Sequence, residues 1–420
     1  MHIWFVQRWE PTPIENNENQ RLFRTGSMID AVLKDNHSVI WWTSTFDHHT
    51  KKNRFKKNTE AKVSSNYKIN FIHTKGYKKN NSPVRYFDNF IFAYSMLKEF
   101  KKIEKKPDLI IASFPVPEIV FIAIYFAKLR NIKTIVDIRD LWPDAIIDIF
   151  TLKSLISILL IPMKKFNNYI FSNATAIIGN SNEFVEWGIK HANKRIKSDL
   201  DLAFNMGYIK KKYSTLEYNN AKNYWSSQNI TKEKDFIIAS FFGAVGLNHD
   251  FDLILKAAKI CVNKKINIKF VICGDGLRLK ELIKDSKNIE NILFTGWLSG
   301  AKIQYLNEIS DIGLAPYYKT KNFIDNIPNK PAEYMSGKNI IALSLSEGIM
   351  SNLIRDFSCG FSYTNEKDLV EKISNLIENP KVLENMKLNS YNLYKDQLDG
   401  TKIYRSFSHY LKKFEPNFLK

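Results

Sequence analysis

Short runs of β-branched and aromatic residues alternate with amphipathic stretches along all 420 residues, and this alternation constrains the fold more than any other feature. Runs apolar on both faces belong in the middle of covered sheets, and the helical stretches between them supply crossovers. The pattern therefore predicts parallel sheets flanked by helices. In the first half the strand candidates are HIWFVQ, SVIWWTS, KINFIHT, DLIIASF, KTIVDI, TAIIGN and DLAF; in the second they are DFIIASFF, IKFVICG, NILFTG, DIGLAP and NIIALSL. Between Asn205 and Lys234 the periodicity lapses into polar, lysine- and asparagine-rich sequence, which reads as a hinge. The chain is too long for one ordinary core. The expectation is an α/β protein of two doubly wound, Rossmann-like domains at 1–205 and 236–400, with a linker at 206–235 and a terminal helix at 401–420.

Charge narrows the class of partner. Lys plus Arg number 62 against 43 Asp plus Glu, a formal charge of +19, with clusters at Lys51 to Lys57, Lys75 to Lys79 and Lys101 to Lys106. Such a surplus attracts nucleic acid, anionic lipid or phosphorylated substrates, or simply solvates the surface. No RNP motif, zinc finger or basic zipper is present, so nucleic acid is disfavoured. The three cysteines, Cys261, Cys273 and Cys359, lie in or beside apolar runs without metal-ligand spacing and read as free buried thiols of a reducing compartment. The start, MHIWFVQ, lacks the basic and cleavage regions of a signal peptide, and no apolar run reaches the ~20 residues that span a bilayer. A cytoplasmic protein is expected. One segment, AIIDIFTLKSLISILLIPMKK at 145–165, is apolar with terminal lysines, and describes either a membrane-interface helix or a buried crossover helix.

The segment DNIPNKPAEYMSGKNIIALS, from Asp325 to Ser344, concentrates chemistry. Asn329 can cap a short helix with Pro331 in its first turn and Gly337 at its end, before an apolar strand. Asp325 and Glu333 can then face one ligand. Lys330 adds a positive charge to the free N–H groups and positive dipole end of the helix, which suits a diphosphate. The same residues also describe an ordinary capped helix with surface acids. After the strand DFIIASFF, the turn GAVGLNHDFD offers Gly243 and Gly246 for close backbone approach to a phosphate, and Asn248 as a helix cap. A second turn, GDGLR, places Gly274, Asp275, Gly276 and Arg278 after the strand IKFVICG, and Gly296 with Trp297 ends the next strand. In TIVDIRDLWPD, Asp137, Arg139, Asp140 and Trp142 follow a buried strand, where charges are costly unless paired or used.

The Asp325-x7-Glu333 spacing resembles the acid-x7-acid signature of glycosyltransferase family 4. The DxRDxWP element at Asp137 and the WWTSTFDHH run resemble its bacterial surface-polysaccharide subgroup, of O-antigen, capsule and exopolysaccharide enzymes. The resemblance implies the GT-B fold, two Rossmann-like domains facing across a cleft, with the last helix crossing back to the first domain. It implies that Asp325 meets donor-sugar hydroxyls and Glu333 the nucleotide ribose. It also implies that the Gly243 loop faces the diphosphate, that the GDG turn lies near the base, and that Arg139 and Asp140 line the reaction centre. Asp stands for the usual Glu at the first acid, and an Arg and a Lys common after the first glycine are missing here, so Lys330 and Arg278 would supply that charge. Asn16, Asn17 and Asn19 replace a glycine pair after the first strand. Gln20, Arg21 and Arg24 beyond them are candidates for a phosphorylated acceptor, and Asn329 joins the donor shell.

The function expected is a retaining hexosyltransferase. It would move a sugar, an N-acetylated hexosamine among the candidates, from a UDP-sugar to a polyprenyl-diphosphate-linked saccharide at the inner face of the cell membrane. No cofactor is expected and no metal. Asp199-Leu-Asp201 precedes a strand and Asp250-Phe-Asp252 opens a helix, whereas a nucleotide-sugar metal site sits at a strand end. The rivals are a nucleotide-sugar epimerase on the same fold, marked by conversion without acceptor, and a non-enzymatic basic protein docking on membrane or polyanion, marked by salt-dependent binding without nucleotide.

Overall fold

The computed structural model describes residues 1–415 apart from 15–20, 49, 81, 145–157, 159 and 233–235. The chain divides into two compact units, 1–205 with the chain from 402 onward, and 206–401. The first unit is built on β1 (His2–Val6), β2 (Ser38–Ser44), β3 (Thr59–Ser64), β4 (Tyr67–Ile72), β5 (Leu109–Phe114), β6 (Lys133–Ile138), β7 (Ala176–Gly179) and β8 (Leu202–Ala203). Their order in the sheet is β3-β4-β2-β1-β5-β6-β7-β8. All neighbours are parallel except the edge pair β3–β4.

Alternation along the strands builds two cores. Trp4, Val6, Trp42, Ile110 and Ala112 point to one face, with Phe92, Phe100 and Phe126 from helices Pro83–Lys102 and Pro117–Arg130. Ile3, Phe5, Trp41, Leu109 and Ile111 point to the other. Trp4 lies 5.2 Å from Trp42 and 4.7 Å from Phe100, ring centre to ring centre, and each such buried side chain contributes about 1.5–3 kcal/mol. The opposite face is closed by the end of the chain: Tyr404, Phe407 and Tyr410 of helix Gly400–Tyr410, with Leu411 and Phe414, pack on Ile3, Phe5 and Trp41.

The second unit holds β9 (Ile237–Phe242), β10 (Ile268–Cys273), β11 (Ile292–Gly296), β12 (Ile312–Ala315), β13 (Ile340–Leu343) and β14 (Gly360–Ser362), all parallel in the order β11-β10-β9-β12-β13-β14. This is the strand order of a dinucleotide-type Rossmann sheet, with its reversal between β9 and β12; the first sheet reverses between β1 and β5. In such sheets ligands gather beyond the carboxyl ends of the strands at the reversal, which fixes where to look. The polar stretch 206–235, expected as a linker, contains helix Thr215–Ser227, opened by a reciprocal cap between Ser214 and Glu217. Its Trp225 is fully buried in the second unit's core and donates to the Lys302 carbonyl at 2.8 Å. The three cysteines are free and buried, as the sequence indicates. The described residues include no helix long and apolar enough to cross a membrane. Most of the 145–165 segment lies outside them, and its last residues open helix Ile161–Asn173.

Candidate functional site

At the reversal of the second sheet, β9 ends in Phe242 and the chain turns through Gly243 to His249, where Asp250 caps helix Phe251–Asn263 by accepting from the Leu253 N–H at 3.0 Å. Asp250, rather than the expected Asn248, is the cap. The turn is pinned to the end of β12, since Asp250 N–H donates to the Pro316 carbonyl at 2.7 Å and Tyr318 N–H to that of Asn248 at 3.3 Å. It is pinned on its other side by the GDG turn: Val245 N–H donates to the Asp275 carbonyl (3.0 Å) and Arg278 N–H to that of Val245 (3.1 Å). The contact is backbone on backbone. A Cβ on Gly274 would fall 1.8 Å from the Gly243 oxygen and one on Gly276 2.3 Å from the Val245 oxygen. These two glycines let the loops touch, and the Asp275 carboxylate accepts from Gly276 N–H at 2.7 Å. Gly296 joins the same seam, its carbonyl taking Gly274 N–H at 2.7 Å, while Trp297 beside it is exposed.

Lys330 enters this turn from helix Asn329–Ser336, which starts after Pro328, so Asn329 is its first residue rather than its cap. The lysine fills the space that Gly243 leaves: a Cβ there would lie 2.6 Å from Lys330 Cε and 3.1 Å from Nζ. Its ammonium sits 5.1 Å from the centre of the Phe241 ring and 3.4 Å from His249 Nε2. An ammonium only donates, so Nε2 must accept and the ring proton belongs on Nδ1, which is buried with no hydrogen-bond partner among the described residues. Burial and the Lys330 charge push the His249 pKa down to about 3, so the imidazole is neutral. Burial pulls Lys330 down to about 8, against Glu333, which favours its charge. Glu333 follows one turn along the helix on the same side, its carbonyl held by Asn307 Nδ2 at 2.7 Å. Asp325 caps the end of the short helix Lys321–Ile324 just before.

Arg278 is committed elsewhere. Its guanidinium forms two 2.9 Å bonds to Asp252 and a 3.0 Å bond to Glu281, which raise its pKa. Lys330 is thus the basic side chain that the structure brings against the Gly243 turn, and nothing lies within 4 Å of where a Cβ on Gly246 would be. The residues that sequence reasoning missed are Phe241, His249 and Tyr317. The last follows β12, faces His249 at 5.4 Å, and has a buried hydroxyl without a partner among the described residues. The signal was available: all three lie in or just after the strands that flank the sheet reversal.

In the first unit the DIRD element is internal. Asp137 is buried at the end of β6 and accepts from Arg24 Nε at 3.1 Å and Nη2 at 3.0 Å and from Arg139 Nε at 2.7 Å. Arg139 also pairs with Glu10 and donates to Thr25 Oγ1 at 2.9 Å. Although burial alone would raise the Asp137 pKa, Arg139 and Arg24 hold it below the usual carboxylate range. Arg24, 1 % exposed, also donates to the Phe204 carbonyl at 2.6 Å, so it faces inward and is not placed to meet an acceptor. Arg21 and Asp140 are partnered as well, and Gln20, with Asn16, Asn17 and Asn19, lies outside the described residues. A second buried pair, unforeseen, joins Arg8 to Asp88 and Asn89 beyond the end of β1.

Comparison with known proteins agrees with this fold. The chain is similar to sucrose-phosphate synthase from Thermosynechococcus elongatus over 98% of both chains at 10% identity, with a TM-score of 0.71. It is similar to Anabaena HepE, solved with UDP, over 98% of this chain and 99% of that one at 12% identity and a TM-score of 0.65. It is similar to WaaG, a glycosyltransferase involved in lipopolysaccharide biosynthesis, over 97% and 98% at 11% identity and a TM-score of 0.63. At such identities the likeness establishes the fold. No curated protein matches the sequence. Residues 224–393, most of the second unit including the Gly243 turn and Lys330, match the family model for glycosyl transferases group 1, so the chain carries a glycosyl transferase group 1 domain on a GT-B fold.

Proposed function

We propose that this chain is a retaining glycosyltransferase, a hexosyltransferase of family 4, that moves a sugar from a UDP-sugar to a lipid-linked saccharide in bacterial surface-polysaccharide synthesis, peripheral to the inner face of the membrane. The observation that carries the donor half is Lys330, a depressed ammonium held by neutral groups against a glycine turn at the sheet reversal. Such an amine lacks a full counter-charge, and a diphosphate supplies one. In the reaction the bond from the anomeric carbon to the diphosphate oxygen breaks as an acceptor hydroxyl oxygen bonds that carbon, and the hydroxyl proton passes to the departing diphosphate. Lys330 and the turn amides stabilise the negative charge that builds on the departing diphosphate, with no metal needed for it. Glu333 and Asp325, on either side of Lys330 in sequence, hold the ribose and the donor sugar. UDP is favoured because HepE was solved with it, and the polysaccharide role because WaaG serves one. Retention rests on the family 4 resemblance and is read from the anomeric configuration of the product.

Thermal unfolding with UDP, GDP and ADP, with and without magnesium, tests the donor site. A nucleotide at about 100 times its dissociation constant stabilises the fold by about 2.7 kcal/mol. The expected result is stabilisation by UDP that needs no magnesium and is lost in Glu333→Ala. Indifference to every nucleotide, or full activity of both Glu333→Ala and Lys330→Ala, would overturn the reading.

A further inference from the structure

The helix Pro83–Lys102 in the first unit is apolar on both sides. Its buried face, with Phe92, Ala93, Met96 and Phe100, packs into the core. Its solvent face carries Val84 (58 % exposed), Phe87 (69 %), Phe90 (55 %) and Tyr94 (60 %), with Tyr86 and Ile91 beside them. Solvent-facing helix surfaces are ordinarily polar, so an aromatic stripe of three turns marks a contact surface.

The charges around the stripe identify the occupant. Exposed Lys78 and Lys79 precede the helix, the Lys79 carbonyl accepting from the Ser82 hydroxyl at 2.8 Å, and exposed Lys98, Lys101 and Lys102 end it. The Lys98 ammonium lies 4.4 Å from the Tyr94 ring centre. The helix's two acids are withdrawn, Asp88 buried on Arg8 and Glu99 paired with Lys102. Protein interfaces are depleted in lysine relative to the rest of the surface, whereas lysines bound this stripe at both ends. A second copy fits no better: both ends of the stripe are basic, so a two-fold contact sets lysines against lysines whichever way the helices run. An aromatic band with lysines at its margins and no free acid matches the boundary between acyl chains and anionic head groups.

We propose that helix Pro83–Lys102 is the surface by which this chain docks on an anionic lipid bilayer, with Phe87, Phe90 and Tyr94 entering the interface and the flanking lysines on the head groups. The inference deepens the membrane part of the functional reading but rests on this surface and not on the donor site, so the two fail separately.

Co-sedimentation of the full chain with vesicles tests it, comparing phosphatidylcholine alone with vesicles of about 30 % phosphatidylglycerol. Wild type is expected to bind the anionic vesicles and to lose binding in high salt. The double substitution Phe87→Ser with Phe90→Ser should weaken partitioning about tenfold or more, and Lys98→Glu with Lys101→Glu should abolish the preference for anionic lipid. These side chains face solvent, so thermal unfolding of the variants should match wild type. Absence of wild-type binding to anionic vesicles would overturn the proposal. So would unchanged binding by the serine variant, or self-association of wild type in light scattering that the serines abolish.

Discussion

Each unit buries cationic side chains near the carboxyl edge of its parallel sheet, and the two handle them in opposite ways. In the first unit Arg24 and Arg139 converge on Asp137, with Glu10 and backbone carbonyls taking the remaining donors. In the second, Lys330 faces a neutral imidazole, a ring and a glycine turn, and no ion pair to it forms among the described residues. The same element of charge is structural where it is fully matched inside the protein, and available for ligand where the match is incomplete. Perturbed groups of the second kind mark functional sites more often than those of the first.

The comparison is broken most forcefully at Asp137. Removing it leaves two buried guanidinium groups unmatched, so Asp137→Ala should destabilise the protein by about 3–5 kcal/mol in urea unfolding. A loss under 1 kcal/mol would show that the network is not structural. Next comes Lys330→Ala, expected to lower turnover about 10²–10³-fold, as removal of one donor to a developing anion does, with the thermal midpoint nearly unchanged. The contrast fails if stability drops and turnover per folded molecule does not.

A finer test uses pH. Lys330 acts as a cation, so kcat/KM should fall as pH rises through about 8. Stability moves the other way: the folded pKa lies below the unfolded value, so the unfolded chain binds more protons between about 8 and about 10.4, and this residue's penalty is relieved as pH rises across that window. Replacing His249 by Ala admits water to the ammonium and should move the activity limb upward; an unmoved limb would detach Lys330 from the titration. Smallest is Arg278→Ala, which removes a partly exposed bridge worth about 0.2–1 kcal/mol and should leave UDP stabilisation intact. Loss of UDP binding there would return Arg278 to the phosphate.

Much of the fold is legible because parallel strands buried on both faces must be continuous apolar runs. The exceptions follow the same physics. The edge strand β3, TEAKVS, is exposed and polar, and β14 spans three residues, so neither carries such a run. Helix starts slip by a residue or two, as at Pro328 for Asn329 and at Asp250 for Asn248, because several adjacent residues are competent caps. At the site, Lys330 and the glycine turn stand out in sequence through local chemistry. Their meeting with His249 and Phe241 does not, since contacts across 81 and 89 positions are set by the sheet order rather than by spacing. Arg24 shows the converse, a residue whose exposure no local pattern reveals and whose partner lies 113 positions away.

The packing of Tyr404, Phe407, Tyr410 and Phe414 on Ile3 and Phe5 also has a temporal side. The second unit is one unbroken stretch, 206–401, whereas the first is closed by residues that leave the ribosome after all of it. During synthesis the later-encoded unit can therefore finish its core first, while the earlier one waits with the strand face around Ile3, Phe5 and Trp41 covered only in part, by Met28, Ile29 and Val32. A chain released before residue 402 would keep that face open to chaperones or to other nascent chains.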